Sequence, residues 1–276
     1  MVTGATSGVG RAIAAGLAER GATVILLSRS AEKGRLVSEA IRLKHASADV
    51  ESMEADLSDF HSIRRFAESF KRQYPRLHVL SNNAAVLPMT RRVTADGFES
   101  IFGVNYIAHF FLTRLLLDRL AESAPARILT VSGSPGMLRR CRIDFDGIQS
   151  STRYNPIRAT LRAACAKAVF SIELARRMKG TGVTSNTFHP GIVRSNLARE
   201  FPAVLRPFVR FAEAFMTEEC RTGVDLASDP RWGKTTGCFF AGGKPVRFDT
   251  DPAVGEKLWD LSERLCGLPR MPVGKK

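Results

Sequence analysis

The sequence predicts an α/β fold, a doubly wound parallel sheet with helices on both faces. Three observations carry that expectation. Short apolar runs alternate with stretches whose apolar residues recur every three or four positions. A glycine-rich turn, Thr3-Gly4-Ala5-Thr6-Ser7-Gly8-Val9-Gly10, joins the first apolar run to the first helical stretch. The third and fourth runs end in Ala55-Asp56-Leu57 and Asn82-Asn83-Ala84-Ala85. Such small and polar residues belong where an open α/β sheet binds its ligand, at strand C-terminal ends.

The candidate strands, in order, are Met1–Thr3, Thr23–Leu27, Val50–Glu54, Val79–Asn82, Arg127–Val131, Thr184–Phe188 and Gly237–Phe240. The first is short against the usual five or six residues, so either the start is truncated or this strand is unusually brief. Helical periodicity marks Arg11–Glu19, Ile63–Phe70, Gly97–Ser123 and Arg158–Lys179 between them. With 276 residues and no linker or repeat, one domain spanning 1–276 is expected. One excursion, at about 196–218, breaks the rhythm. Within it Phe201, Leu205, Phe208, Phe211 and Phe215 interleave with Arg199, Arg206 and Arg210. It reads as a lid over an apolar substrate cleft, a surface helix on its own domain, or a membrane-surface contact.

Composition narrows the class. A 44% hydrophobic and 25% charged chain is ordinary for a globular protein. No apolar run approaches the ~18 residues of a membrane span, and no signal peptide is visible. The five cysteines, Cys141, Cys165, Cys220, Cys238 and Cys266, show no metal-ligand spacing. They read as reduced thiols of a cytoplasmic protein, with no metal site. The net charge of +14 is spread over pairs such as Arg64-Arg65 and Arg176-Arg177, without a nucleic-acid motif. It reads as a solvated basic surface with one anion-binding cleft, and no nucleic-acid partner is expected.

The glycine turn points to a Rossmann-type dinucleotide site. Glycines let the backbone approach a pyrophosphate, and a helix N-terminus offers free amides and the positive end of its dipole. Gly4, Thr6, Ser7, Gly8, Val9 and Gly10 are the candidate contacts. The second strand then runs into Leu27-Ser28-Arg29-Ser30 with no carboxylate to hold ribose hydroxyls. Arg29 is placed to pair with a 2′-phosphate, which favours NADP(H) over NAD(H). Arg11 can add to the same field. Asp56, Leu57, Asn83, Ala84 and Ala85 complete the expected cofactor contacts after strands three and four.

Together Thr3–Gly10, Asp56-Leu57 and Asn82–Ala85 resemble the short-chain dehydrogenase/reductase family, with Ala85 where that family has glycine. The likeness is nearest to its retinol-dehydrogenase-like branch. Phe102–Phe110, Glu173–Met178, Gly182-Val183-Thr184, His189–Ser195 and Lys257–Ser262 carry it. The resemblance implies carboxamide contacts from Pro190, Gly191, Ile192 and Ser195. It also implies a homodimer through the two long helices, while the excursion at about 196–218 suggests an apolar small-molecule substrate. Members of this branch often carry a membrane anchor.

The family's chemistry uses a tyrosine acid/base, a lysine four residues later, a serine and an asparagine. A free tyrosine has a pKa of about 10, and the lysine charge lowers it toward a useful range. Asn105 matches the asparagine. The serine falls on Gly133 without a gap, or on Ser134 with a one-residue insertion, which the long following loop favours. Counting back from Phe170–Met178 puts Thr160 at the tyrosine position and Ala164 at the lysine position. Tyr154 with Arg158 has the right spacing but places Pro156 inside the required helix, which reads as a decoy. Lys167, one turn beyond Ala164, can lean back into the vacated space. His109 and His189 read as packing residues. The expectation is an NADP(H)-binding enzyme acting on an apolar molecule with altered or non-redox chemistry. A carbonyl reductase using substitute groups, and a nucleotide-binding module without turnover, stand beside it.

Overall fold

A computed structural model describes residues 1–138, 142–149, 154–191, 193 and 217–272. Eight strands form one sheet: β1 (Val2–Thr3), β2 (Val24–Ser28), β3 (Val50–Glu54), β4 (Val79–Asn82), β5 (Ala126–Val131), β6 (Val183–Phe188), β7 (Phe239–Ala241) and β8 (Lys244–Val246). Their spatial order is β3-β2-β1-β4-β5-β6-β7-β8. All neighbours are parallel except the β7–β8 hairpin. The order reverses between β1 and β4, and a crevice opens at such a switch point. β8 was not among the expected strands. Gly242 and Gly243, both at positive φ, make the tight turn that adds it.

The strands form because their side chains alternate between two buried faces. Leu26 of β2 joins one apolar cluster, while Ile25 and Leu27 join the other. The first cluster holds α1 (Gly8–Glu19) and α2 (Ala31–Lys44) through Ile13, Leu17 and Ile41. The second holds α3 (Phe60–Gln73) through Ile63, Phe66 and Phe70. It also holds α4 (Ser100–Glu122), with its π-helical turn at Gly103–Ile107, and α5 (Pro156–Arg177). α6 (Arg221–Ser228) lies on the α1 face and α7 (Pro252–Leu265) on the α5 face.

Two helix starts differ from the expected bounds for stated reasons. Gly97 sits at φ +83°, and Glu99 accepts the Ile101 and Phe102 amides, so α4 begins at Ser100. Pro156 is at the first turn of α5, where a missing N–H costs nothing, and Asn155 caps it by accepting from Arg158 N. α4 is long and apolar enough to cross a membrane by composition, with mean hydropathy 1.3, yet 83% of that window is buried in the protein. Cys165, Cys220, Cys238 and Cys266 form no disulfide, and no group of metal-ligating side chains occurs among the described residues.

α7 closes the outer face of α4 and α5. Trp259 is buried with its ring centroid 5.0 Å from Phe110 and 6.0 Å from Phe170. Its indole N–H donates to Glu263 at 2.8 Å, and the Arg177 guanidinium lies 4.5 Å over its ring. Glu263 also pairs with Arg114, and Glu173 with Arg177 at 2.6 Å. Tyr106 bonds Ser262 at 2.7 Å. The long-helix face expected to meet a second copy is therefore covered, over these residues, by the chain's own C-terminal helix.

Candidate cofactor and active site

A cleft of about 620 Å3 opens at the C-terminal ends of β1, β2, β4, β5 and β6. Its floor is the glycine turn. Gly4 adopts φ +61°, and a Cβ there would stand 2.7 Å from the Ala84 backbone. Gly8 is also left-handed, at φ +55°. Ser7 is the N-cap of α1, yet its side chain makes no capping bond and the first turn carries no acid. The leading amides of α1 are thus bare, next to a backbone stripped of side chains. That arrangement accommodates a phosphate, and the lack of a Cβ at Gly4 lets the turn lie against Ala84.

Asn83 pins this turn from the neighbouring strand. Its amide donates to Thr3 O at 3.0 Å and Gly4 O at 3.4 Å. Thr3 Oγ1 in turn accepts the amides of Asn83 at 2.8 Å and Ala84 at 3.0 Å. His109, fully buried, links this hub to α4, with Nε2 3.3 Å from Thr3 Oγ1 and Nδ1 3.2 Å from Asn105 O. Asn105 O can only accept, so Nδ1 carries the proton, and the single Thr3 hydroxyl proton has two acceptors at 3.3 Å, His109 Nε2 and Ser81 O. Burial first, and the field of Lys167 second, hold the His109 pKa down at about 3, so the ring is neutral.

Most of the expected cofactor contacts come together here. Gly4, Thr6, Ser7, Gly8, Val9, Arg29, Asp56, Leu57, Asn83, Ala84, Ala85, Pro190 and Gly191 all line the cleft. Gly10 does not. A Cβ at Gly10 would stand 2.4 Å from Asn83 Nδ2 and 2.5 Å from Gly4 O, so its smallness serves packing of the turn. Ile192, Ser195 and the expected lid up to Met216 lie outside the described residues. Asp56 Oδ1 accepts from Ser58 N and Ser58 Oγ, both at 2.8 Å, which fixes the carboxylate at the rim. Arg29 is exposed at the cleft edge, with no ion-pair partner among the described residues.

The inner end of the cleft is where the chemistry would sit. Asn105, Gly133, Thr160, Ala164 and Lys167 line it. Asn105 lies in the π-helical turn, and its amide pairs both ways with Val86, at 2.8 Å and 3.0 Å. Thr160 Oγ1 donates back to Pro156 O at 2.8 Å. Gly133 faces Ala164, whose Cβ is 3.6 Å from the place a Gly133 Cβ would take. Ser134 does not line the cleft; its Oγ accepts from Met137 N at 3.4 Å, capping a turn at Pro135–Leu138. Of the two candidates for the serine position, Gly133 lines the cleft and Ser134 does not. Ser132 is spent on the backbone, donating to Ala164 O at 2.7 Å.

Tyr154 is not in the cleft lining. It precedes α5 and donates to Pro88 O at 2.9 Å; burial, then Glu99, push its pKa up to about 12. Among the described lining residues there is no tyrosine. Lys167 is buried, 6% exposed, without a hydrogen-bond or ion-pair partner among the described residues. Burial lowers its pKa to about 8. The apolar walls that sequence reading missed include Val86, Leu87, Val104, Met137 and Leu161. They belong to loops and buried helix faces, and no motif marked them.

A short chain dehydrogenase family profile matches residues 1–142. Human retinol dehydrogenase 11 is 39% identical over 279 residues, covering 98% of this chain and 86% of that protein. An uncharacterised Mycobacterium paratuberculosis protein of known structure is 32% identical, with a TM-score of 0.76, covering 98% of this chain and 93% of its own. A Beutenbergia cavernae structure described as a putative gluconate 5-dehydrogenase with bound NADP is 28% identical, with a TM-score of 0.67 over 86% of this chain and 92% of its own. Glycine turn, Asp56-Leu57, Asn82–Ala85 and Asn105 stand in this shared frame, and the chain belongs to the short-chain dehydrogenase/reductase family, on its retinol-dehydrogenase-like branch.

Proposed function

We propose that this protein is an NADP(H)-binding enzyme of an apolar small molecule, with altered or non-redox chemistry at the nicotinamide end of its cleft. One observation carries the reading. Gly133, Thr160 and Ala164, which the family resemblance read without gaps sets at its serine, tyrosine and lysine, all line the cleft. Each replacement is smaller, and none can act as an acid or base near neutral pH.

The dinucleotide side is supported by the bare amides of α1, the close approach at Gly4 and the exposed Arg29. Ser28 ends β2 where a ribose-binding carboxylate would stand, which favours the phosphorylated cofactor. When bound, the cofactor supplies hydride chemistry or a structural wall. The chain's own residues hold its phosphates and exclude water behind Leu57, Val86 and Val104. Lys167 supplies the only cation facing the inner end among the described lining residues. An apolar substrate agrees with Val86, Leu87, Met137 and Leu161, and with a relative named for retinol.

Restoring the lost groups tests the reading. The variant Thr160→Tyr/Ala164→Lys, with Gly133→Ser added, should gain carbonyl-reducing activity with NADPH while binding it at least as well as the parent. NADPH bound normally with no activity gained would overturn the assignment of these positions.

A further inference from the structure

The polar side chains around the inner hollow are accounted for, with one exception. Ser132 is bonded to Ala164 O, Thr160 to Pro156 O, and the Asn105 amide to Val86 on both sides. Lys167 alone, a buried residue of the cleft lining, has no hydrogen-bond or ion-pair partner among the described residues. Its charge is felt by His109, whose ring is held neutral, while the cause of its own lowered pKa is burial. No carboxylate lines the inner end to fix the amine as an ammonium; Asp56 is at the outer rim beside Ser58. Gly133 and Ala164, both small, and the apolar Val104 and Leu161 line the same cleft as Lys167.

We propose that the Lys167 amine captures an apolar aldehyde in this cleft as a reversible imine. The inference deepens the proposed function, resting on its reading of the inner cleft as the substrate site. The neutral amine attacks the carbonyl carbon. A C–N bond forms as the carbonyl π pair moves to oxygen, and a proton passes from nitrogen to oxygen through water. The carbinolamine then loses water, leaving a C=N bond, so no oxidant or reductant is consumed. A protonated imine withdraws electrons from the adjacent carbon more strongly than a carbonyl does. It therefore gives isomerisation or elimination an electron sink that needs no tyrosine. Burial makes the neutral amine available near neutral pH, unlike that of a surface lysine.

The test is reductive trapping without any nicotinamide. Wild-type protein is mixed with a sub-stoichiometric amount of decanal and sodium cyanoborohydride near pH 7.5, then examined by intact mass and peptide mapping. The expected result is one decyl adduct mapping to Lys167, enriched at least about tenfold over any surface lysine. Lys167→Met and Lys167→Arg, the second keeping the charge, should lose that adduct while surface labelling stays unchanged. Labelling spread evenly over surface lysines, or equal in wild type and both variants, would overturn the proposal. A parallel NADPH fluorescence titration separates the two readings. Trapping lost with NADPH bound removes the imine alone, and trapping present with no NADPH bound removes the cofactor assignment alone.

Discussion

Lys167 holds a charge in a place that disfavours it, and the cost should be measurable. Its folded pKa is lowered to about 8 from 10.5. Below pH 8 the side chain is protonated both folded and unfolded, so the full burial cost applies. Between 8 and 10.5 the unfolded chain binds a proton that the folded one has released, so stability rises with pH across that window. Lys167→Met should therefore stabilise the protein by about 1–3 kcal/mol at pH 7. That gain should shrink as pH climbs past 8 toward 10.5, read from urea unfolding at several pH values. At the opposite end of the cleft, Arg29→Ala should weaken NADPH about 10–100-fold while changing NADH little, measured by fluorescence titration. Equal losses for both cofactors would remove the 2′-phosphate contact. Counting back from Phe170–Met178 picks out Thr160 and Ala164, and both line the cleft. The residue after β5 needed more than counting. Choosing between Gly133 and Ser134 needs the path of the backbone after β5, which turns Ser134 into a cap and Gly133 toward Ala164.

At the scale of elements, the site is a seam between β1 and β4 tied by short hydrogen bonds. Thr3, Asn83 and His109 join the glycine turn to the π-helical turn of α4. Such turns often mark functional positions because they re-aim side chains that a regular helix would bury. Gly10→Ala drives a Cβ against Asn83 Nδ2 and Gly4 O, at 2.4 and 2.5 Å, and backbone cannot step aside cheaply. We expect a loss of about 1–3 kcal/mol in stability and a larger loss of NADPH affinity, because the turn itself must shift. Unchanged affinity would show that Gly10 is not part of the turn's support. Strand and helix order were legible from periodicity, since the central strands β2 and β6 are buried along their whole length. The β7–β8 hairpin was missed because Lys244–Val246 is short and largely exposed, leaving only Gly242-Gly243 as a signal.

For the whole molecule, the C-terminal helix decides which surfaces are free. Trp259 fills the space between Phe110 and Phe170 beneath two arginines, each paired with a glutamate. Trp259→Ala should cost about 3–5 kcal/mol, seen as a lower urea midpoint. Wild-type protein should not dimerise through the α4–α5 face while α7 covers it, so light scattering should show no wild-type dimer that depends on that face. The sequence alone named this helix only as family-like; its packing partners are far apart along the chain and no periodicity reveals them. Over all scales, the central claim is a dinucleotide cleft kept while its acid/base set was lost. The direct measurement is NADPH binding and consumption in one cuvette, with a panel of apolar aldehydes and ketones. The account predicts saturable NADPH fluorescence changes without sustained loss of nicotinamide absorbance. Multiple-turnover consumption of NADPH by the unaltered chain, or no binding at all, would contradict it.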